Sequence, residues 1–161
     1  MSQTQPVRRT DRRSRLIKAS PAVIYQALLD PEALATWRAP TGMKGRIDHF
    51  EAKEGGNYKM TLTYEDTSQG VKGKSSEQDD SFEGRFVQLA PNEKVVEETE
   101  FDSEDPAFAG TMRITTSLQE TEEGTEVTMT CENVPPGIRE EDHLQGIDSS
   151  LENLAAYTEK L

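Results

Sequence analysis

A chain of 161 residues and 18.0 kDa has the size of one domain, and with 33% hydrophobic against 30% charged residues it carries apolar material for a single core. No run reaches the roughly 18 to 20 apolar residues that span a bilayer, and the polar start from Met1 to Pro6 lacks the apolar stretch of a secretory signal. The formal net charge of -12 opposes docking on phosphate backbones or anionic lipid. A cytoplasmic protein is therefore expected, with neither nucleic acid nor membrane as partner. Cys131 is the only cysteine, so no internal disulfide forms and no structural zinc is expected.

Residues 1–11 read as a flexible lead and 12–161 as one domain. Within and beside the lead, Arg8, Arg9, Arg12, Arg13 and Arg15 read as a solvated strand face that balances nearby carboxylates, the alternative being an anion-binding arm. A first strand is predicted over Arg12 to Ala19. Ser20-Pro21 then offers a capping hydroxyl before a proline at the first helical position, and Val23, Ile24, Ala27 and Leu28 form an apolar stripe. Asp30-Pro31 repeats the device and starts a second short helix, Glu32 to Thr36, ended near Trp37 and closed by Pro40 and Gly42.

From Gly45 to Asn133 the periodicity turns from helical to alternating, which predicts an antiparallel meander. The strands expected are Arg46 to Ala52, Asn57 to Tyr64, Phe82 to Leu89, Lys94 to Phe101, Thr111 to Gln119 and Thr125 to Glu132. Tyr58, Met60, Leu62 and Tyr64 share one face of their strand, as do Met112, Ile114, Thr116 and Leu118 of theirs. Asp66 to Asp80 and Asp102 to Gly110 read as polar loops, and Glu120 to Gly124 as a hairpin turn. After Val134-Pro135-Pro136-Gly137 the chain reads as one long closing helix, with Leu144, Ile147, Leu151, Leu154 and Ala155 at helical spacing. The fold class expected is α+β: one strand, two short helices, six strands and a long helix.

Four stretches in this order resemble the family of homologues of the activator of the 90-kDa heat-shock protein's ATPase. They are Ser20 to Trp37, Gly55-Gly56-Asn57-Tyr58, Phe82 to Pro91 with its internal Gly84, and Gly146-Ile147 to Leu154. The resemblance covers about residues 12 to 161 and implies the helix-grip fold of the START/polyketide-cyclase superfamily. In that fold a curved antiparallel sheet of about seven strands wraps around the carboxy-terminal helix. This chain departs from the family in carrying Ile147 where a tryptophan often follows the glycine of the last helix, and in its long charged stretch at 66–80.

The resemblance implies a cavity between sheet and last helix for a small hydrophobic molecule. Its expected wall is Trp37, Tyr58, Met60, Leu62, Tyr64, Phe86, Met112, Ile114, Thr116, Ile147 and Leu151, with the indole, the phenols and the Thr116 hydroxyl as polar handles. The plain reading of Trp37 is a plug between helix and sheet. His49 and Glu51, two apart on a strand, read as a surface pair rather than an acid/base pair, and His143 among Glu140, Glu141 and Asp142 as part of a solvated helix start. Cys131 reads as a small buried apolar residue. No cofactor, metal or catalytic residue is expected, and the chain is read as a monomer or homodimer. Two alternatives stand beside ligand binding: a co-chaperone-like module that docks a protein partner through its acidic surface, and a cyclase- or hydrolase-like enzyme with Tyr58, Tyr64 or His49 as proton donor.

Overall fold

The computed structural model describes residues 9–39, 43–64, 79–101 and 110–159. Both short helices start as their capping residues dictate. The Ser20 hydroxyl accepts from the Val23 N–H to open α1 (Pro21–Leu28). The Asp30 carboxylate accepts from Glu32 and Ala33 to open α2 (Pro31–Trp37). Each has proline in its first turn, where a missing N–H costs nothing.

The strands are β1 (Arg9–Ile17), β2 (Met43–Phe50), β3 (Asn57–Tyr64), β4 (Asp79–Ala90), β5 (Lys94–Phe101), β6 (Met112–Thr121) and β7 (Gly124–Val134); the closing helix is α3 (Glu140–Thr158). They form one curled antiparallel sheet in the order β1-β7-β6-β5-β4-β3-β2. The element order and the helix-grip architecture are those expected from the sequence. Alternation places Tyr58 and Met60 of β3, Phe82 and Phe86 of β4, Met112 and Ile114 of β6, and Val127, Met129 and Cys131 of β7 on the concave face. There they meet Ile147, Leu151 and Leu154 of α3.

Several boundaries differ from expectation; β2 runs Met43–Phe50, not Arg46 to Ala52, and β1 ends at Ile17, not Ala19. β1 begins at Arg9, not Arg12, so the end of the supposed lead is strand paired with β7, with Asp11 opposite Cys131. The β6–β7 hairpin is tighter than a five-residue loop, because Thr121 already pairs with Gly124. Gly124 has φ +149, and a Cβ there would overlap the Ile17 carbonyl. That close approach is what requires glycine. β4 begins at Asp79, inside the stretch read as a loop. The remainder of that loop, 66–78, lies outside the described residues, as do 102–109 of the second polar loop, the lead 1–8, and the closers Pro40 and Gly42.

α3 packs along β1 and against α2 and α1. It also holds the open carbonyls at the end of α2: Ser150 Oγ donates to the Arg38 carbonyl at 2.9 Å and Asn153 Nδ2 to that of Ala39 at 2.8 Å. The end of α2 is thereby fixed over the concave face.

Candidate functional site

Arg38, which follows the last residue of α2, is the residue on which the site is built. Its guanidinium reaches across the concave face to Glu97 of β5, with Nη1 to Oε1 at 3.0 Å and Nη2 to Oε2 at 2.9 Å. Their side chains are 9% and 3% exposed, so this two-point pair is an interior one. The Tyr58 hydroxyl joins it, donating to Glu97 Oε1 at 2.5 Å and accepting from Arg38 Nη1 at 3.2 Å. Gly84 makes room for this. It lies directly opposite Tyr58 in the β3–β4 register, and a Cβ there would overlap the phenol ring. The glycine of the family-like β4 segment is thus what lets Tyr58 lie across β4 toward Arg38.

Burial alone would lower the Arg38 pKa, but the charges and hydrogen bonds of Glu97 and Tyr58 outweigh it, and the guanidinium is held above its ordinary value. The Tyr58 phenol is pushed well up, first by burial and then by the Glu97 charge. Two buried side-chain atoms have no hydrogen-bond partner among the described residues: Arg38 Nε and Thr116 Oγ1. Thr116 lies opposite Val95 in β5, one inward-facing position along that strand from Glu97. Buried polar groups are almost always paired, and both exceptions among the described residues lie on this one face.

Most of the predicted wall is on this face. Tyr58, Met60, Phe86, Met112, Ile114, Thr116, Ile147 and Leu151 are all buried in it, and Leu62 is half-buried at its margin. Tyr64 ends β3, and its side chain lies outside the described residues. Trp37 is fully buried as well. Its indole N–H donates to the Ala27 carbonyl at 2.9 Å, which ties α2 to α1, and its ring stacks under Arg38, whose Cζ is 5.0 Å from the ring centre. Its indole N–H is therefore already committed, and its ring serves as the platform for the guanidinium.

Sequence reasoning missed Arg38 and Glu97, the two residues that give the face its chemistry. A signal was present for Glu97. Val95, Glu97 and Thr99 alternate inward on β5, and a carboxylate at an inward position demands a cation. The three glutamates at 97, 98 and 100 obscured it.

The remaining candidates separate cleanly. His49 pairs opposite Lys59 on the convex face, with Nε2 3.3 Å from Glu51 Oε1, as a surface pair should. Cys131 is buried, and burial pushes its thiol up to about 12. His143 requires a correction. It is not a solvated residue of the helix start: its side chain is 16% exposed, and Nδ1 lies 2.6 Å from Asp11 Oδ2. Asp11 is fully buried and also accepts from Arg9 Nε and Nη2 at 2.7 and 3.0 Å, while Arg9 Nη2 donates to the Ile138 carbonyl. The physical reason is the earlier start of β1, which carries Asp11 beneath the first turns of α3. No group of three or more metal-ligating side chains occurs among the described residues.

Grooves also open elsewhere among the described residues. One of about 610 Å³ lies on the convex side, lined by Lys59, Glu83, Arg85, Glu98 and Thr111 among others, and one of about 390 Å³ lies between the start of α2 and β2. No helix among the described residues is long and apolar enough to cross a membrane.

A curled seven-stranded sheet closed over a long terminal helix, with a polar set inside, defines a helix-grip domain of the START/polyketide-cyclase kind. The chain belongs to the family described as Activator of Hsp90 ATPase homolog 1-like protein, whose model matches residues 18–159. Among solved structures it is similar to protein CV1439 from Chromobacterium violaceum, at 32% identity and a TM-score of 0.81, over 93% of this chain and 96% of that one. It shares its fold with the Q3J4M4_RHOS4 protein from Rhodobacter sphaeroides, at 20% identity and TM-score 0.73 over 94% and 93% of the two chains. The AHSA1-like protein from Aeromonas hydrophila matches at 15% identity and TM-score 0.70, again over 94% and 93%. No curated protein matches the chain.

Proposed function

We propose that this domain binds a small, mostly apolar molecule between the concave sheet face and α3, with Arg38, Glu97 and Tyr58 at its polar end. The observation that carries the reading is the pair of buried, unpartnered polar atoms, Arg38 Nε and Thr116 Oγ1, on a face otherwise lined by apolar side chains. The described wall is closely packed, so an occupant enters by displacing side chains. Met60, Met112 and Met129 suit that role, because an unbranched thioether repacks at lower cost than a branched or aromatic side chain. The reading assigns no catalytic step: His49, the best candidate base in the sequence, has an exposed side chain paired with Glu51.

Native mass spectrometry of the freshly purified protein tests this, followed by identification of any small molecule released on denaturation. A retained adduct of a few hundred daltons is the expected outcome. A bare protein mass, together with Trp37 emission that no apolar probe alters, would overturn the reading.

A further inference from the structure

We propose that the molecule held on the concave face is uncharged and presents a carbonyl-type oxygen, as in a ketone, ester, lactone or quinone, to Arg38 Nε and Thr116 Oγ1. This rests on the binding function proposed above and adds the chemical class of the ligand.

The donor inventory comes first. A guanidinium has only donors, and Arg38 has committed Nη1 and Nη2 to Glu97 and Tyr58, while Nε has nothing. Whatever meets Nε must accept. A threonine hydroxyl can donate or accept, so Thr116 Oγ1 accommodates the same acceptor group or a second one close by. Glu97, where Arg38 docks, and Thr116 are diagonal neighbours across β5 and β6, since Thr116 faces Val95, the previous inward position. Such positions are roughly 7 to 8 Å apart, within the span of one small molecule.

Charge decides between the acceptors. The Arg38 charge is already balanced at close range by Glu97, and the buried Asp11 on β1 is balanced by Arg9, with His143 beside it. A carboxylate ligand would add an uncompensated negative charge to a closed interior, inside a protein whose net charge is -12. A pure hydrocarbon would leave Nε and the hydroxyl orphaned while removing any water that serves them. A neutral carbonyl satisfies the donors without disturbing the ion pair.

Three probes of one shape separate these cases: 2-acetylnaphthalene, 2-ethylnaphthalene and 2-naphthoate at neutral pH. Affinities are read by calorimetry, and the Arg38 Nε–H cross-peak is followed in ¹H–¹⁵N spectra of the full chain. The ketone is expected to bind about tenfold tighter than either comparison compound, the factor that one well-made buried hydrogen bond supplies, and to move the Nε–H resonance. Thr116→Val, nearly the same in volume, is expected to shrink the ketone's advantage over 2-ethylnaphthalene several-fold. If 2-ethylnaphthalene or 2-naphthoate binds as well as the ketone, the carbonyl assignment is wrong and ligand binding itself stands. If none of the three binds and the native mass is bare, both readings fall together.

Discussion

At Arg38 and Glu97 the competing energies are large enough to be read individually. Burying either charge alone is costly, and their mutual attraction together with the Tyr58 hydrogen bond offsets that cost. Removing one partner by Arg38→Ala or Glu97→Ala is therefore expected to destabilise the domain by about 3 to 5 kcal/mol. Replacing both, as in Arg38→Met with Glu97→Leu, should cost far less than the two singles together, since no charge is stranded. Urea unfolding of the three variants checks this, and a double variant as unstable as the sum would refute the account. Cys131 gives a second residue-level expectation. With its thiol pushed up to about 12 and its side chain buried, it should resist a thiol reagent such as Ellman's at pH 8 and react promptly once the chain is unfolded.

Among the elements, the join between β1 and α3 is the one with a pH signature. Burial pushes the Asp11 carboxyl up, but hydrogen bonds from Arg9 and His143 and their charges outweigh it, so its pKa in the folded protein lies below the ordinary value. A depressed carboxyl contributes stability that is complete above its unfolded value of about 3.9 and disappears as pH falls through the lower folded value. Over pH 5 to 2, the stability gap between the protein and its Asp11→Asn variant should hold steady at first and then close below about pH 4. Thermal melts in this range measure it. A gap that widened toward acid would contradict the assignment. The β3–β4 pairing makes a separate prediction: Gly84→Ala should evict the Tyr58 ring and cost about 2 kcal/mol or more, whereas the same change on Tyr58→Leu should cost much less.

For the whole molecule, an excess of 30 acidic over 18 basic residues makes self-repulsion a general destabilising field. Screening should relieve it, so raising sodium chloride from about 10 mM to 0.15 M is expected to lift the melting temperature by about 2 to 4 °C. The element order, the helix starts and the inward faces of β3, β6 and β7 were legible in the sequence. Capping, prolines and alternation are local properties, and a period of two assigns a face without knowledge of the partner strand. The candidate site was legible only in its apolar part. Tyr58, Met60, Met112 and Ile114 stand out on alternating strands, whereas Arg38 follows a helix and Glu97 sits in an acidic run, where each has the appearance of a surface residue.

By itself, then, the sequence determined the helix-grip fold and membership of a family, because those rest on periodicity, turn chemistry and short motifs read along the chain. Only the tertiary structure decided which charges are interior. Arg38 and Glu97 are 59 positions apart and Asp11 and His143 are 132 apart, and nothing local records that either pair closes. Burying a charge is unfavourable until its partner arrives, so such sites exist only as a property of the folded whole.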